Sequence, residues 1–313
     1  MAFFPQIMAG PITRAAHLLP QFDNLADKHL REEGLLRILY GLAKKLLLAD
    51  SLGRLVVDPV YAAPFDYQGV GALLAAYAYT LQIYLDFSAY SDIAIGSAAL
   101  LGIDLPENFH APYLARNAKE YWDNWHISLS TWFRDYVYIP LGGNRQGETR
   151  SRYNVLATFL LSGLWHGAGL TFLFWGLLHG FYLICYRLKV IKAVMARTPD
   201  VLKRLLFFNL TALAFVFFRS ADMAQAWQVL GAVFSYSTVD FFHSSGLILW
   251  AIALLPLGVL VHDLIEANLK PLGQAYNRLP AIGRGAVVYV LALLVYCGAQ
   301  FDFVHQTFVY FKF

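Results

Sequence analysis

The sequence predicts an all-α, polytopic membrane protein, and three observations carry that reading. Of 313 residues, 58% are hydrophobic and 16% aromatic, while only 14% are charged; a soluble globular domain carries roughly 25%. Uncharged apolar runs recur along the chain, several near the ~20 residues that a helix needs to cross a bilayer. Lys and Arg gather in short clusters between those runs, the pattern that orients spanning helices. The formal net charge of +3 is small, so the basic clusters speak for topology and against nucleic-acid binding. No repeat, low-complexity tract or Ser/Gly linker divides the chain, and a single membrane domain over residues 1–313 is expected. Cys185 and Cys297 both lie in apolar segments and read as buried small residues, not as a disulfide or metal framework.

The chain opens with Phe3-Phe4-Pro5-Gln6 and Gly10-Pro11, which lacks the basic and apolar regions of a signal peptide. Pro5, Pro11 and Pro20 suit a loop or re-entrant segment up to Phe22. Residues 31–58 mix Leu runs with Arg37, Lys44, Lys45 and Asp50, the pattern of an amphipathic helix lying in the interface, with a spanning helix as the second reading. Residues 67–85 are free of charge and long enough for one crossing. They lead into Asp86-Phe87-Ser88-Ala89-Tyr90-Ser91-Asp92, whose carboxylates must face protein or water, because a lipid-facing charge costs roughly 2.5 kcal/mol or more. Structural hydrogen bonding between helices and a role in a site are equally open for Asp86 and Asp92.

Pro106-Glu107-Asn108-Phe109 and Pro112 form a loop. The stretch 116–138 then places Lys119 with Asp123, Glu120 with Asn124 and Trp122 with His126 at i, i+4 spacing, a helix rich in Trp and charge that fits the interface or a polar cavity wall. Ile139-Pro140-Leu141-Gly142-Gly143-Asn144 ends it. From Asn154 to Tyr186 the chain runs about thirty-three residues without a formal charge, with Trp165-His166-Gly167 near the middle. Gly163, Gly167 and Gly169 around His166 could let helices approach closely, bend the chain, or admit a substrate. Arg187, Lys189, Lys192, Arg197, Lys203 and Arg204 form the strongest basic cluster and mark a cytoplasmic loop. Further crossings are expected at 205–218, 241–261 and 285–301, which leaves the C-terminus non-cytoplasmic.

A histidine inside a charge-free span is costly unless something uses or satisfies it. His166 and His126 are the pair of choice, since acyl transfer to a hydroxyl needs a base, and neutral imidazole suits that at physiological pH. The reaction also needs donors for an oxyanion and a site that keeps water from the activated acyl group. Asp86 and Asp92 are further candidate groups, with Asn124, Ser128 and Ser130 as hydrogen-bond partners. His179 is read as structural, near the cytoplasmic end. No two histidines stand at i, i+4 and neither cysteine is close to one, so no metal site is expected. A proton-coupled transporter lined by the same Asp and His residues is the reading from another class, but it calls for internal repeats that are not seen. A catalytically silent scaffold is a third.

The runs Tyr84-Leu85-Asp86-Phe87-Ser88-Ala89-Tyr90-Ser91-Asp92, Pro106-Glu107-Asn108-Phe109, Trp122-Asp123-Asn124-Trp125-His126-Ile127-Ser128-Leu129-Ser130-Thr131-Trp132-Phe133-Arg134-Asp135-Tyr136, Ile139-Pro140-Leu141-Gly142-Gly143-Asn144 and Leu164-Trp165-His166-Gly167 strongly resemble the membrane-bound O-acyltransferase family. Within it they are most similar to the bacterial alginate O-acetyltransferase branch, as are the opening Phe3-Phe4-Pro5-Gln6 and the closing Tyr310-Phe311-Lys312-Phe313. The resemblance spans essentially the whole chain. It implies a helical bundle with a tunnel through the membrane, for which Trp165, Asn124, Ser128, Asp86 and Asp92 are the candidate lining, with His166 as the catalytic histidine and His126 as a second functional one. The implied activity is acetyl transfer across the bacterial inner membrane for O-acetylation of an exopolysaccharide such as alginate, with D-alanyl transfer to teichoic acid as the alternative. Acetyl-CoA or another acetyl carrier is the implied donor on the cytoplasmic side, with no tightly bound cofactor. A periplasmic acetyltransferase or the polysaccharide itself is the acceptor, and membrane lipid surrounds the chain. Members of the branch carry further helices ahead of the Phe-Phe-Pro segment, so the chain is expected to lack N-terminal helices.

Overall fold

The computed structural model describes residues 3–6, 10–23, 25, 31–235, 245–265, 268–300 and 308, and among these every regular element is helical. A short helix, α1 (Ala15–Phe22), follows the Pro-rich opening. The next helical stretch starts as α2 (Arg31–Ala43) and winds on to residue 62 through two π-helical turns, Lys44–Ala49 and Gly53–Val57, which alternate with α3 (Asp50–Leu52) and α4 (Asp58–Ala62). α5 (Val70–Leu100) is 31 residues long, about 46 Å at 1.5 Å per residue. It therefore exceeds the ~30 Å hydrocarbon layer, and it carries Asp86 to Asp92 inside the helix instead of beyond its end.

Residues 31–58 do not carry Lys44, Lys45 and Asp50 on an exposed face, as an amphipathic surface helix would. They pack lengthwise on α5, and Lys44, Lys45 and Asp50 are buried. The reason is charge matching. Lys45 Nζ bonds Asp50 at 2.6 Å and Asp86 at 2.8 Å, and Lys44 Nζ reaches Asp92 at 2.6 Å and Ser88 at 2.9 Å. Arg37 bonds Asp92 at 2.9 Å and grips Glu107 with two N–H groups. A π turn has more residues per turn, so neighbouring side chains point closer together. That lets Lys44 and Lys45, adjacent in sequence, both turn toward the acids of α5. Polar groups that would be expensive against lipid are thus paired inside protein.

α6 (Ala118–Asn124) is capped by Asn117, whose side chain accepts from the Glu120 N–H at 3.0 Å. α7 (Ile127–Phe133) follows after a break at Trp125-His126, so the single helix expected over 116–138 is two short ones. The charge-free run 154–186 is likewise two antiparallel helices, α8 (Gly147–His166) and α9 (Leu170–Arg187), with Gly167, Ala168 and Gly169 at the turn. α10 (Lys189–Arg197) and α11 (Asp200–Arg219) come next, then α12 (Met223–Phe234), α13 (Ser245–Leu260), α14 (Leu269–Asn277) and α15 (Ala281–Gln300). Among the described residues five helices are long and apolar enough to cross a membrane: α5, α9, α11, α13 with its extension to Ile265, and α15. Asp240, the start of the crossing expected at 241–261, and the closing Tyr310 to Phe313 lie outside the described residues.

α5 is the axis of the core. Tyr79, Tyr84, Leu85 and Phe87 on it pack with Trp125, Trp175, Phe215 and Phe218 from α6–α7, α9 and α11 in one continuous apolar cluster. The cysteines lie elsewhere than expected: Cys185 is only half-buried and Cys297 is exposed on α15.

Candidate active site

The α8–α9 hairpin positions His166. Two glycines bring its helices into backbone contact: a Cβ on Gly163 would lie 2.4 Å from the Phe172 carbonyl oxygen, and one on Gly176 would lie 2.3 Å from that of Phe159. Only Gly permits that approach, the small-residue packing typical of membrane helices. Of the three uses open to glycines near His166, close approach belongs to Gly163, and the bend to the turn that Gly167 and Gly169 flank. His166 is therefore the last residue of α8, half-buried, with its ring against Trp165, Trp175 and Phe218 at 4.9, 5.1 and 5.0 Å between centroids.

His126 sits at the break between α6 and α7 with φ 42° and ψ 55°, in the left-handed region. That conformation costs a non-glycine residue roughly 1–2 kcal/mol, and strain of this kind is held where the surroundings over-determine it. Here the clamp is the Pro106-Glu107-Asn108-Phe109 loop. The Asn108 carbonyl accepts from the Ile127 N–H at 2.9 Å, and its side-chain oxygen accepts from the Ser128 N–H at 3.2 Å and the Ser128 hydroxyl at 2.9 Å. Asn108 also donates to Ser91 on α5 at 3.4 Å. On the other side of the turn the Asn124 carbonyl accepts from the His110 N–H at 3.0 Å, and the Asn124 side chain donates to the Glu120 carbonyl at 2.7 Å. The result is a histidine only 3% exposed, edge-on to Phe87 at 4.6 Å and stacked over Phe109 at 6.4 Å.

Trp165 joins the two histidines. Its ring is 6.5 Å from His126 and 4.9 Å from His166, and it is 52% exposed. Of the residues singled out in the sequence, the structure brings His126, Trp165 and His166 together. Asn124 and Ser128 anchor the turn that carries His126 and direct their polar atoms to the loop and backbone. Asp86 and Asp92 face Lys45, Lys44 and Arg37, so they sit in the α2–α5 ion-pair network. His179 belongs to α9 and not to the helix of His166; it is fully buried among Tyr121, Trp122 and Trp175, with neither ring nitrogen hydrogen-bonded among the described residues.

Sequence reasoning did not single out Asn108, Phe87, Phe109, Trp175 or Phe218. The first three lie in the quoted motifs, where a buried Asn in a Pro-containing loop was a readable sign of a backbone clamp. Trp175 and Phe218 have no local signature. Nor did the sequence mark His262, which is buried on α13's extension. Its Nε2 accepts from the Tyr113 N–H at 3.0 Å, so Nδ1 carries the proton it gives to Asp263. The ring stacks on Tyr113 and meets Tyr84 edge-on, tying that helix to the loop before α6.

A cavity of about 380 Å³ runs beside this centre, lined by Val155, Thr158, Phe159 and Ser162 of α8 on successive turns. Lys119, Arg134 and Arg187 stand among its lining at the end that carries the basic cluster. Ser162, the last α8 residue of the lining, is one turn before His166. Outside the spans, Arg116 links α6 to α11: it donates to Glu120 at 2.9 Å and to Asp200 at 3.1 Å. Burial pushes the Glu120 carboxyl up, but the hydrogen bonds from Arg116 outweigh it and hold it below its ordinary range.

Fold and site together define a polytopic membrane protein in which two histidines from separate elements flank Trp165, one helical turn from a cavity whose lining ends at Ser162. The chain belongs to the membrane-bound O-acyltransferase family, whose pattern it matches over residues 1–201. It is 42% identical over 241 residues to the probable alginate O-acetylase AlgI of Pseudomonas aeruginosa, covering 76% of this chain and 45% of that one. It is 38% identical over 251 residues to the peptidoglycan O-acetyltransferase of Helicobacter pylori, covering 78% and 47%. The teichoic acid D-alanyltransferase of Bacillus subtilis is 31% identical over 197 residues, covering 59% and 49%. The chain thus spans about half the length of these relatives.

Proposed function

We propose that this chain is a single membrane domain that transfers acetyl groups across the bacterial inner membrane for O-acetylation of an exopolysaccharide such as alginate. The observation that carries the reading is the meeting of His126 and His166 on Trp165, one helical turn beyond a cavity that opens among basic residues. The relatives support acetyl over D-alanyl transfer, since the acetyltransferases are the more similar and cover more of the chain. Acetyl-CoA or another acetyl carrier enters from the basic, cytoplasmic end. The acceptor, a polysaccharide hydroxyl or a periplasmic acetyltransferase, approaches from the opposite face.

In this scheme His166 takes the proton of the acceptor hydroxyl as its oxygen attacks the thioester carbonyl. The tetrahedral intermediate then collapses, the C–S bond breaks, and the leaving thiolate receives the proton from His166. His126 orients the acceptor or assists the proton transfer. The aromatic shell of Phe87, Phe109, Trp165, Trp175 and Phe218 limits water, which would otherwise hydrolyse the donor.

The test is complementation of a strain whose polymer acetylation depends on this gene, with protein level in the membrane checked for each variant. Wild type restores O-acetyl groups, whereas His166→Ala and His126→Asn do not. Asn tolerates the left-handed backbone, so the second variant separates loss of the imidazole from loss of the turn. Acetylation retained by His166→Ala overturns the assignment.

A further inference from the structure

Resting on the acyl-transfer reading above, we propose that Arg187 is the phosphate anchor of a phosphopantetheine-type arm that carries the acetyl group up the cavity toward His166. Three observations converge on it.

The first is charge. Among the lining cations, Lys119 is taken by Asp123 at 2.5 Å and Arg134 by Asp135 at 2.8 Å. Arg187 is exposed at the cavity mouth, and its contact is the Ser151 hydroxyl at 2.9 Å; among the described residues no carboxylate lies within ion-pair distance of it. A planar guanidinium with N–H groups left over suits a bidentate phosphate contact.

The second is length. Ser151 marks the level of the Arg187 guanidinium on α8, and fifteen residues separate it from His166, an axial distance of about 22 Å. From phosphorus to sulfur a phosphopantetheine arm has about thirteen bonds, which extend to about 16 Å at the roughly 1.2 Å per bond of an extended backbone. The sulfur then lies level with Ser162, the last α8 residue of the lining, and the remaining ~6 Å, four residues of helix rise, is the distance the thioester carbonyl and the attacking hydroxyl must span to His166. An arm without a phosphate could slide; one fixed at Arg187 puts its sulfur at the right depth.

The third is the wall. The ring of Trp122 lines the cavity. The surrounding Phe159, Leu183 and Val155 offer the apolar contact that the methylenes of the arm need. The volume of about 380 Å³ falls within the roughly 300–1,000 Å³ of small-molecule sites.

The experiment measures binding of two probes, 4′-phosphopantetheine and pantetheine, to the purified full chain in detergent by titration calorimetry. Wild type binds the phosphorylated probe at least about tenfold more tightly. Arg187→Gln abolishes that difference, Arg187→Lys keeps part of it, and Trp122→Phe weakens both probes alike. Equal wild-type affinity for the two probes, or a difference that survives in Arg187→Gln, overturns the inference. Binding is read without turnover, so a chain that binds the arm but acetylates nothing refutes the proposed function and not the anchor. Kinetics with acetyl-CoA and with an acetylated carrier protein then separate the two sources of the arm, the KM rise in Arg187→Gln appearing with the one that serves as donor.

Discussion

Lys45→Met is the most informative perturbation of the fold. Lys45 joins Asp50 and Asp86 at 2.6 and 2.8 Å, and Asp86 is fully buried. Methionine keeps much of the volume and removes the ammonium, so both carboxylates lose its charge in a place where solvent cannot replace it. Breaking a buried pair from one side costs about 3–5 kcal/mol, and at 2–4 °C per kcal/mol the melting temperature should fall on the order of 10 °C. The assay is thermal unfolding of the purified chain in detergent, for Lys45→Met, Asp86→Leu and the double variant. If the pair acts as a unit, the double variant loses less than the sum of the single losses by at least about 1 kcal/mol. A Lys45→Met shift under 2 °C, or strict additivity, refutes the claim that this network fastens the Lys45 turn to α5. Because Phe87, the neighbour of Asp86, packs on His126 at 4.6 Å, transfer activity should fall together with stability.

Three further outcomes follow from the geometry. Gly176→Ala places a Cβ 2.3 Å from the Phe159 carbonyl oxygen, so α8 and α9 must separate; the cost is about 1–3 kcal/mol by the overpacking rule, and calorimetric melting plus a transfer assay should show both stability and activity reduced. Trp165→Ala removes an exposed ring that touches both histidines, so acetyl transfer should drop at least tenfold while the melting temperature moves by less than about 3 °C, within the range of surface substitutions. The Arg116 link responds to pH with a defined sign. Glu120 is held below its ordinary value of 4.5, so its contribution is complete above that value and is lost as pH falls through the lowered one. Melting profiles of wild type and Arg116→Ala should run parallel above pH 5 and converge below about pH 4.

The sequence was most legible where chemistry and motif coincide. His126, Trp165 and His166 lie in three-dimensional contact because they sit in motifs whose order was readable without coordinates. The apolar runs at 205–218 and 285–301 were readable for the same reason, since lipid demands length and lack of charge. Breaks were harder. A charge-free run looks the same whether it is one span or a hairpin, and only the turn between Gly167 and Gly169 decides it. The inward packing of residues 31–58 was not readable because a helix pattern with Lys and Arg has the same periodicity whether its charges meet water or carboxylates; the partners, buried Asp86 and Asp92 and exposed Glu107, are some forty to seventy residues away. Asn108 acts through its backbone and side chain on a distant turn, and hydrogen bonds of that kind leave no periodic trace. The anchor at Arg187 was visible only as part of a basic cluster, which says where the membrane ends and not which cation remains available.

The central claim is that His166 supplies the base for acyl transfer. Its most direct measurement is single-turnover transfer of a labelled acetyl group from a thioester donor to polymer hydroxyls, in membranes holding equal amounts of wild type and His166→Ala. The account predicts a loss of about 10²–10⁴ in the rate of transfer, the usual weight of a general base, with 4′-phosphopantetheine still bound by the variant. Transfer by His166→Ala within tenfold of wild type would contradict it.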